Sequence, residues 1–295
     1  MFERLKAGWR LARSVRKSVS KEKSIYVYPI VSGIVSLGIF VFTLISLFIA
    51  VPTTNPNADF IYFLGLFLAY VIVWFFSTII VLSMLISYRA FNSGSPISFR
   101  NALGKAWSYR RFALEWGLFY GILIMILRVI ESRVRGIGGI VIGVMGSLII
   151  TAATFFAIPA ILDYRVGPIK AVERSVSTIR KNFGQTFGGV AYIDLYTLVF
   201  SLSGFALFIL GIVLIGSLLP PILVPVLIAG GAVLIIVGLV LNFTYMNVLK
   251  LVLFDYTNGK GLPEGFDENE INMAIKRRGP GGPIFNNSSG SQNQL

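Results

Sequence analysis

The side chains that could carry chemistry in this chain are few, and nearly all of them are carboxylates or cations. The 295-residue sequence contains no Cys and no His, which excludes disulfides, thiolate nucleophiles, Cys/His zinc sites and imidazole acid–base catalysis. Asp163, Glu173 and Asp255 are far apart in the sequence, and no glycine-rich phosphate loop or paired-acid motif accompanies them. We therefore predict no catalytic residues, no metal site and no cofactor.

Two further acids, Glu115 and Asp194, lie a few residues inside long apolar segments. Because an unpaired charge in hydrocarbon is expensive, each should find a basic or hydrogen-bonding partner near the membrane boundary. One interpretation is a structural salt bridge that joins neighbouring helices, and the other is a coupling residue of a transporter. Their shallow depth favours the salt bridge. The basic candidates for these pairs are Arg89, Arg110, Arg111, Arg165 and Lys250.

The composition is that of a membrane protein. Hydrophobic residues make up 55% of the chain, charged residues only 13%, and the mean hydropathy is +0.78, whereas soluble domains carry about 25% charged residues. We predict an all-α, polytopic membrane domain over residues 1–257 and a polar, mostly disordered tail over residues 258–295. The predicted spans, each long enough to cross about 30 Å of hydrocarbon, are residues 30–51, 60–88, 112–130, 137–162, 188–219 and 222–254.

The positive charge is distributed in a way that predicts the topology. Residues 1–28, 89–111, 163–187 and the tail from Lys250 hold 8, 5, 5 and 5 of the 26 Lys and Arg residues, and the Arg128–Arg135 turn holds the other three. Lys and Arg gather on the cytoplasmic side of membrane proteins. We therefore expect a multi-pass protein of the cell membrane with both termini in the cytoplasm, and no nucleic-acid partner despite the net charge of +13.

A similar joint follows the second, fourth and sixth spans. Its three copies are Tyr88-Arg89…Gly94-Ser95-Pro96, Asp163-Tyr164-Arg165-Val166-Gly167-Pro168 and Asp255-Tyr256…Gly261-Leu262-Pro263. We predict three parallel hairpin repeats, each preceded by a basic amphipathic interfacial helix. The alternative is that glycine–proline turns and interfacial Tyr and Arg are common at any span end.

The predicted interfacial helices cover residues 2–20, 97–111 and 168–187. In the first, the apolar stripe comprises Phe2, Leu5, Trp9, Ala12 and Val19. In the second, Ser95 is the expected N-cap and Pro96 the first helical residue. In the third, the apolar residues share an arc of roughly 80° and comprise Ile169, Val172, Val176, Ile179, Phe183 and Phe187.

The central joint resembles a broad, uncharacterised group of six-helix prokaryotic membrane proteins, and it is similar to the membrane domain attached to some glycerophosphodiester phosphodiesterases. The residues that carry the resemblance are Ile158-Pro159-Ala160-Ile161-Leu162-Asp163-Tyr164-Arg165, Gly167-Pro168 and Ala171-Val172-Glu173-Arg174-Ser175, with Phe2-Glu3-Arg4-Leu5…Trp9 near the amino terminus. The resemblance covers residues 1 to about 256 and implies a fold but no activity, since no catalytic domain accompanies it.

Two functions remain open, and neither is enzymatic. In the preferred one, cations on the inner surface bind anionic lipid headgroups. The partner is then the lipid bilayer itself or an unidentified protein. The candidate contacts are Arg10, Arg13, Lys17, Arg100, Lys105, Arg174, Arg180 and Lys181. In the alternative, the helices surround a path for a solute or lipid, as in a transporter or channel. Its lining would come from Thr43, Ser46, Ser77, Thr78, Ser83, Thr151, Thr154, Thr197, Ser201 and Ser203. Such hydroxyls also bond to their own helix backbone, so they do not decide between the two.

The topology is tested by labelling single cysteines in this naturally cysteine-free chain. Cysteines at Asn55 and Ser177 are expected to react with a membrane-impermeant maleimide from opposite sides, because the first lies in an uncharged turn and the second in a basic segment. Reaction of both from outside the cell would contradict the topology.

Overall fold

The chain is helical throughout most of the part that the structure describes. A computed structural model describes residues 2–52, 55–134, 136–182, 188–215 and 222–268. Within these residues there are ten α-helices, one turn of 3-10 helix (Lys23–Tyr26) and no strand, which confirms the all-α prediction. The α-helices are α1 Phe2–Lys21, α2 Val27–Ala50, α3 Ala58–Asn92, α4 Phe99–Trp107, α5 Arg110–Arg133, α6 Ile137–Ala153, α7 Ala157–Tyr164, α8 Pro168–Asn182, α9 Gly188–Val213 and α10 Leu223–Thr257.

Six helical segments in the described residues are long and apolar enough to cross a membrane, as predicted. They are α2 with the preceding 3-10 turn, α3, α5, α6 together with α7, α9 and α10. Crossing the hydrocarbon takes about 20 residues, but α3 and α10 have 35 residues each. These two helices are therefore long enough to extend beyond the membrane core or to cross it at a tilt.

The two ends of the bundle differ in how tightly they pack. We call the end with residues 55–57, 134 and 136 the turn end, and the opposite end, where α1, α4, α7 and α8 pack, the capped end. Buried side chains concentrate at the capped end, mainly in residues 78–88, 155–162 and 244–254. Toward the turn end the large apolar side chains are mostly exposed, as expected for surfaces that face lipid.

The first helix packs into the capped end on a face that differs from the predicted one. Leu11, Val15 and Val19 are fully buried as α1 crosses α9 and α10, and the buried hydroxyl of Ser18 lies 2.8 Å from the Tyr88 hydroxyl of α3. Only Val19 belongs to the predicted stripe, whose other members lie outside the described side chains. The predicted stripe omitted Leu11, Val15 and Ser18, although close packing between helices also uses a small residue such as Ser18.

Two predicted helix starts are wrong. Helix α4 begins at Phe99, because the N-cap is Ser98, whose Oγ accepts a hydrogen bond from the Asn101 backbone N–H at 3.4 Å. Pro96 precedes the helix. Pro29 was expected to precede the first span, but it lies inside the first turn of α2. Backbone N–H groups in the first turn of a helix have no helical acceptor, so a proline there removes no helical hydrogen bond.

Two other boundaries also differ from the prediction. The predicted turn over residues 128–136 is helical as far as Arg133, and Arg128 bonds Glu131 at 2.7 Å on the last turns of α5. The predicted fourth span breaks between α6 and α7, where the Phe156 N–H donates to Ser175 Oγ of α8 at 2.9 Å. This side-chain acceptor replaces the helical carbonyl that the break removes.

The helix after the central joint buries small residues. Ala171 and Ser175 are fully buried, whereas Val172, Val176 and Ile179 are half-buried and Ile169 is 73% exposed. The predicted stripe is therefore correct for its middle members and wrong for Ile169. Phe183 and Phe187 lie outside the described residues.

The first part of the predicted tail packs against the bundle. Leu262 and Phe266 contact the buried core, and Glu264 pairs with Lys21 of α1 at 3.5 Å. The backbone turns at Gly259 and Gly261, whose φ angles of +75° and +79° suit glycine. The prediction of a mostly disordered tail remains untested, because residues 269–295 lie outside the described residues.

Glycines bring α9 and α10 into backbone contact. Gly204 on α9 faces Gly231 on α10, and Gly211 and Gly238 continue the contact seven residues further along each helix. A Cβ atom at Gly231 would lie 2.5 Å from the backbone nitrogen of Phe208 and 2.7 Å from the carbonyl oxygen of Gly204. Small residues at such positions let membrane helices approach closely.

Adding one methyl group to this contact is expected to destabilise the protein. Gly231→Ala should cost about 1–3 kcal/mol, because the new Cβ overlaps backbone atoms that cannot move alone. Gly230→Ala is the matched control: its Cβ meets no atom within 4 Å, and alanine favours helix over glycine by about 1 kcal/mol. Thermal unfolding of the purified protein in detergent, followed by tryptophan fluorescence, checks both. Equal melting temperatures for the two variants would contradict the close contact.

Candidate functional site

Arg89 holds together the ends of three helices at the capped end. It lies in the last turn of α3, and its Nη1 donates to Asp163 Oδ1 of α7 at 2.6 Å. Its Nε donates to Asp255 Oδ2 of α10 at 3.0 Å, and its Nη2 donates to Asp255 Oδ1. The second contact is bidentate, which is the arrangement that gives an arginine–carboxylate pair its geometric specificity.

Lys260 completes this group of charges, which we call the charge cluster (Arg89, Asp163, Asp255 and Lys260). Its Nζ donates to Asp163 Oδ2 at 2.5 Å and lies 3.9 Å from Asp255 Oδ1. The Asp163 side chain is only 7% exposed and that of Asp255 16%. Two anions and two cations make the cluster neutral, which is the condition for burying charges of this kind.

The geometry of the charge cluster suits a structural connection better than acid–base chemistry. All four carboxylate oxygens of Asp163 and Asp255 accept hydrogen bonds from Arg89 or Lys260, so both carboxylates are engaged in ion pairs within the cluster. Among the described residues, no group of three or more Asp and Glu side chains is placed to hold a metal ion. The cluster therefore ties α3, α7 and α10 to the segment that follows α10.

Stacked arginines hold the joint between α7 and α8. Arg165 has a left-handed backbone with φ +50°, its guanidinium lies 4.6 Å from the centre of the Tyr109 ring, and its Nη2 donates to Ser108 Oγ at 3.3 Å. Arg174 lies 3.8 Å from the centre of the Tyr164 ring. Such cation–π contacts contribute about 0.5–1 kcal/mol each at exposed sites.

The two acids predicted to need partners have them in this structure. Glu115 accepts a hydrogen bond from Arg111 Nε at 3.0 Å, one turn earlier on α5. Asp194 accepts one from the Asn242 amide at 2.9 Å, and the same amide donates to Thr197 Oγ1. Among the predicted basic candidates, Arg111 is thus paired with Glu115. Arg89 and Arg165 bond neither acid and belong to the charge cluster and the α7–α8 joint.

The predicted cations on the capped end fall into distinct environments. Arg13, Lys17, Arg100, Lys105 and Arg180 are exposed, and their side chains make no ion pair or hydrogen bond within the described part of the chain. Arg174 is stacked on Tyr164, and Arg10 is half-buried. The side chain of Lys181 lies outside the described residues.

The charge cluster itself was not predicted, although its sequence signal exists. Asp163 and Asp255 were considered only as metal ligands and set aside because 92 residues separate them. One arginine and two aspartates stand beside the tyrosines of the three joints: Arg89 follows Tyr88, whereas Asp163 and Asp255 precede Tyr164 and Tyr256. Opposite charges at the ends of neighbouring spans favour mutual pairing, so this signal was available. No comparable signal marks Lys260.

Half of the hydroxyl groups considered for a solute path are bonded to their own helix. The acceptor is in each case the carbonyl four residues earlier, at 2.7–3.4 Å, for Thr43, Thr78, Thr154, Thr197 and Ser201. A hydroxyl satisfied in this way has less need of a polar ligand. These contacts give no support to a polar path between the helices.

The fold defines an all-helical protein with six membrane-length apolar helices, in agreement with a multi-pass membrane protein. The chain belongs to DUF6159, a family of unknown function, whose model matches residues 57–261. No curated protein and no solved structure matches the chain. The comparisons show no link to glycerophosphodiester phosphodiesterases.

Removing the central cation of the charge cluster is expected to destabilise the fold strongly. Arg89→Met should cost about 3–5 kcal/mol, because Asp163 and Asp255 would remain buried with one cation between them. The matched control is Arg111→Met, which breaks the pair with Glu115. Since Arg111 is 85% exposed, its loss should cost about 0–1 kcal/mol. Thermal unfolding in detergent measures both variants.

A triple variant provides the internal check. Adding Asp163→Asn and Asp255→Asn to Arg89→Met removes the uncompensated charges and should restore part of the lost stability. An Arg89→Met protein as stable as the Arg111→Met protein would show that the charge cluster does not hold the helix ends together.

Proposed function

We propose that this protein is a non-enzymatic membrane module whose capped end faces the cytoplasm and binds anionic lipid headgroups. The observation that carries the proposal is a set of exposed cations on the capped end that have no partner within the described residues. This basic face comprises Arg13, Lys17, Lys23, Arg100, Lys105, Arg110, Lys170 and Arg180. An anionic membrane surface attracts each nearby Lys or Arg by about 1 kcal/mol.

The position of these cations along the helices supports contact with headgroups. Counting about 20 residues from the turn end, the hydrocarbon region of α5 ends near Leu114. Arg110 therefore lies one turn beyond it, at headgroup depth. Helices α1, α4 and α8 connect to spans at the same end, so their cations are held near this level.

The charge balance of the capped end also supports the proposal. The buried acids Asp163 and Asp255 are neutralised within the charge cluster, and Glu115 is bonded to Arg111. The cations of the basic face therefore have few local anions to compete with lipid phosphates. At the turn end, by contrast, Arg128 is already bonded to Glu131.

A threefold repeat is part of the same proposal. The charge cluster takes one charged residue from beside the tyrosine of each proposed joint, since Arg89 follows Tyr88 and the two aspartates precede Tyr164 and Tyr256. Each joint is followed by a basic segment, so a repeated unit would place one group of cations after each pair of spans. A protein partner with an acidic surface would meet the same cations.

The test replaces one arginine on each of three helices of the basic face. We call the triple substitution Arg13→Gln, Arg100→Gln and Arg180→Gln the distal variant. It is expected to reduce the enrichment of phosphatidylglycerol over phosphatidylcholine around the protein, and the remaining enrichment should depend less on salt concentration. Lipid co-isolated in polymer-bounded native membrane discs is quantified by mass spectrometry.

The matched control removes charge from the turn end. Arg128→Gln with Arg133→Gln should leave the lipid enrichment at the wild-type level, because these residues face the opposite leaflet in the proposed orientation. If the distal variant keeps both its topology and its wild-type lipid enrichment, the cations of the capped end serve only to orient the chain during insertion, and the proposed function is wrong.

A further inference from the structure

Arg165 is a cation held in place before any ligand arrives. Its guanidinium is stacked on Tyr109 and donates one hydrogen bond, to Ser108 Oγ, although an arginine has five N–H donors. Tyr109 is itself fixed, because its hydroxyl donates to the Leu162 carbonyl at 3.1 Å. A side chain that is already ordered loses less conformational entropy when it binds an anion.

Two further cations stand on the elements that Arg165 connects. Arg110 follows Tyr109 directly, and Lys170 lies in the first turn of α8. Both side chains are exposed and without an ion pair or hydrogen bond in the described part of the chain. Glu115 is bonded to Arg111 and lies against Gly167, and Glu173 lies one turn after Lys170, so the three cations still outnumber the acids that are not already paired.

An apolar strip begins directly below these cations on α5. Leu114, Leu118 and Ile122 recur at four-residue spacing, so they lie on one side of the helix. They are 54%, 46% and 43% exposed. On one flank of the strip Gly117 packs against Val71 of α3, and on the other Glu115 lies against the α7–α8 joint. The strip is therefore a lipid-facing surface bounded on both sides.

We propose that the three cations and the apolar strip form a seat for one anionic phospholipid. The headgroup phosphate binds the seat cations (Arg110, Arg165 and Lys170), and an acyl chain lies along the apolar strip (Leu114, Leu118 and Ile122). The inference rests on the proposed function, since it names one site and one ligand class within the general attraction of the basic face for anionic lipid.

The apolar strip identifies the ligand as a lipid and not a soluble anion. A free phosphate would use only the three cations, and the strip would add nothing to its binding. A diacyl phospholipid uses both parts at once, because its phosphate and its chains are covalently joined. The strip also starts near Leu114, where the hydrocarbon region of α5 is expected to begin.

The experiment compares two variants that each lose three cations. The seat variant, Arg110→Gln, Arg165→Asn and Lys170→Gln, removes the seat cations, and asparagine is chosen at 165 because it tolerates the left-handed backbone. The distal variant defined above is its control. The full-length protein in neutral detergent is titrated with phosphatidylglycerol or with phosphatidylcholine of the same chains, and bound lipids are counted by native mass spectrometry.

The wild-type protein is expected to hold one phosphatidylglycerol more tightly than any other lipid, by about tenfold or more over phosphatidylcholine. The seat variant should lose this preference, whereas the distal variant should keep the single tight lipid and lose only the weaker ones. Leu118→Trp keeps every charge but fills the apolar strip, so it should also weaken binding of the tight lipid. This variant replaces the seat variant in the test if the seat variant does not fold.

Each other outcome contradicts the seat in a distinguishable way. Equal losses in the seat and distal variants would mean that the basic face acts as a whole, so the proposed function would stand without a seat. Wild-type binding by both variants would overturn the seat and the proposed function together. Displacement of the tight lipid by inorganic phosphate at an equal free concentration would show that the site recognises a soluble anion.

Discussion

The contact of Arg89 with two aspartates is the interaction on which the capped end depends. Asp163 and Asp255 stand in the last turns of α7 and α10, where the helix dipole disfavours a negative charge, and both are largely buried. They tolerate this position because Arg89 and Lys260 bond all four of their oxygens. The neighbouring residues extend the connection, since Tyr88 meets Ser18 of α1 and Tyr164 supports Arg174 of α8. One neutral cluster thereby joins elements from most of the chain.

The parts of this structure that could be predicted from the sequence are those that depend on composition. Six membrane-length helices follow from the length of the apolar runs alone. Helix ends were less predictable, because Ser95 and Ser98 are both good N-caps and the sequence does not decide between them. The charge cluster depends on which distant helix ends meet. Periodicity carries no such information, although Arg89, Asp163 and Asp255 each stand next to the tyrosine of a joint.

The turn end of the bundle packs loosely and the capped end packs tightly because one is surrounded by lipid and the other by water. Near the turn end, lipid is as apolar as leucine, so helices gain little from burying large side chains against each other and approach through glycines such as Gly204 and Gly231. At the capped end water is present, and burial of apolar side chains again stabilises the fold. The compact core around Tyr88 and Phe254 therefore lies where several helices run past the hydrocarbon.

The cations of the capped end differ in how firmly they are held, and this difference bears on their role. Orientation of a chain during insertion requires only that positive charge be present near a span, so it places no demand on where a guanidinium points. Arg165 is nevertheless stacked on Tyr109 and Arg174 on Tyr164, and Arg165 adopts a left-handed backbone that costs a non-glycine residue about 1–2 kcal/mol. Fixed guanidinium planes suit bidentate contacts with phosphate oxygens. The contacts that these arginines make across the α7–α8 joint account for this arrangement, whereas orientation during insertion alone does not.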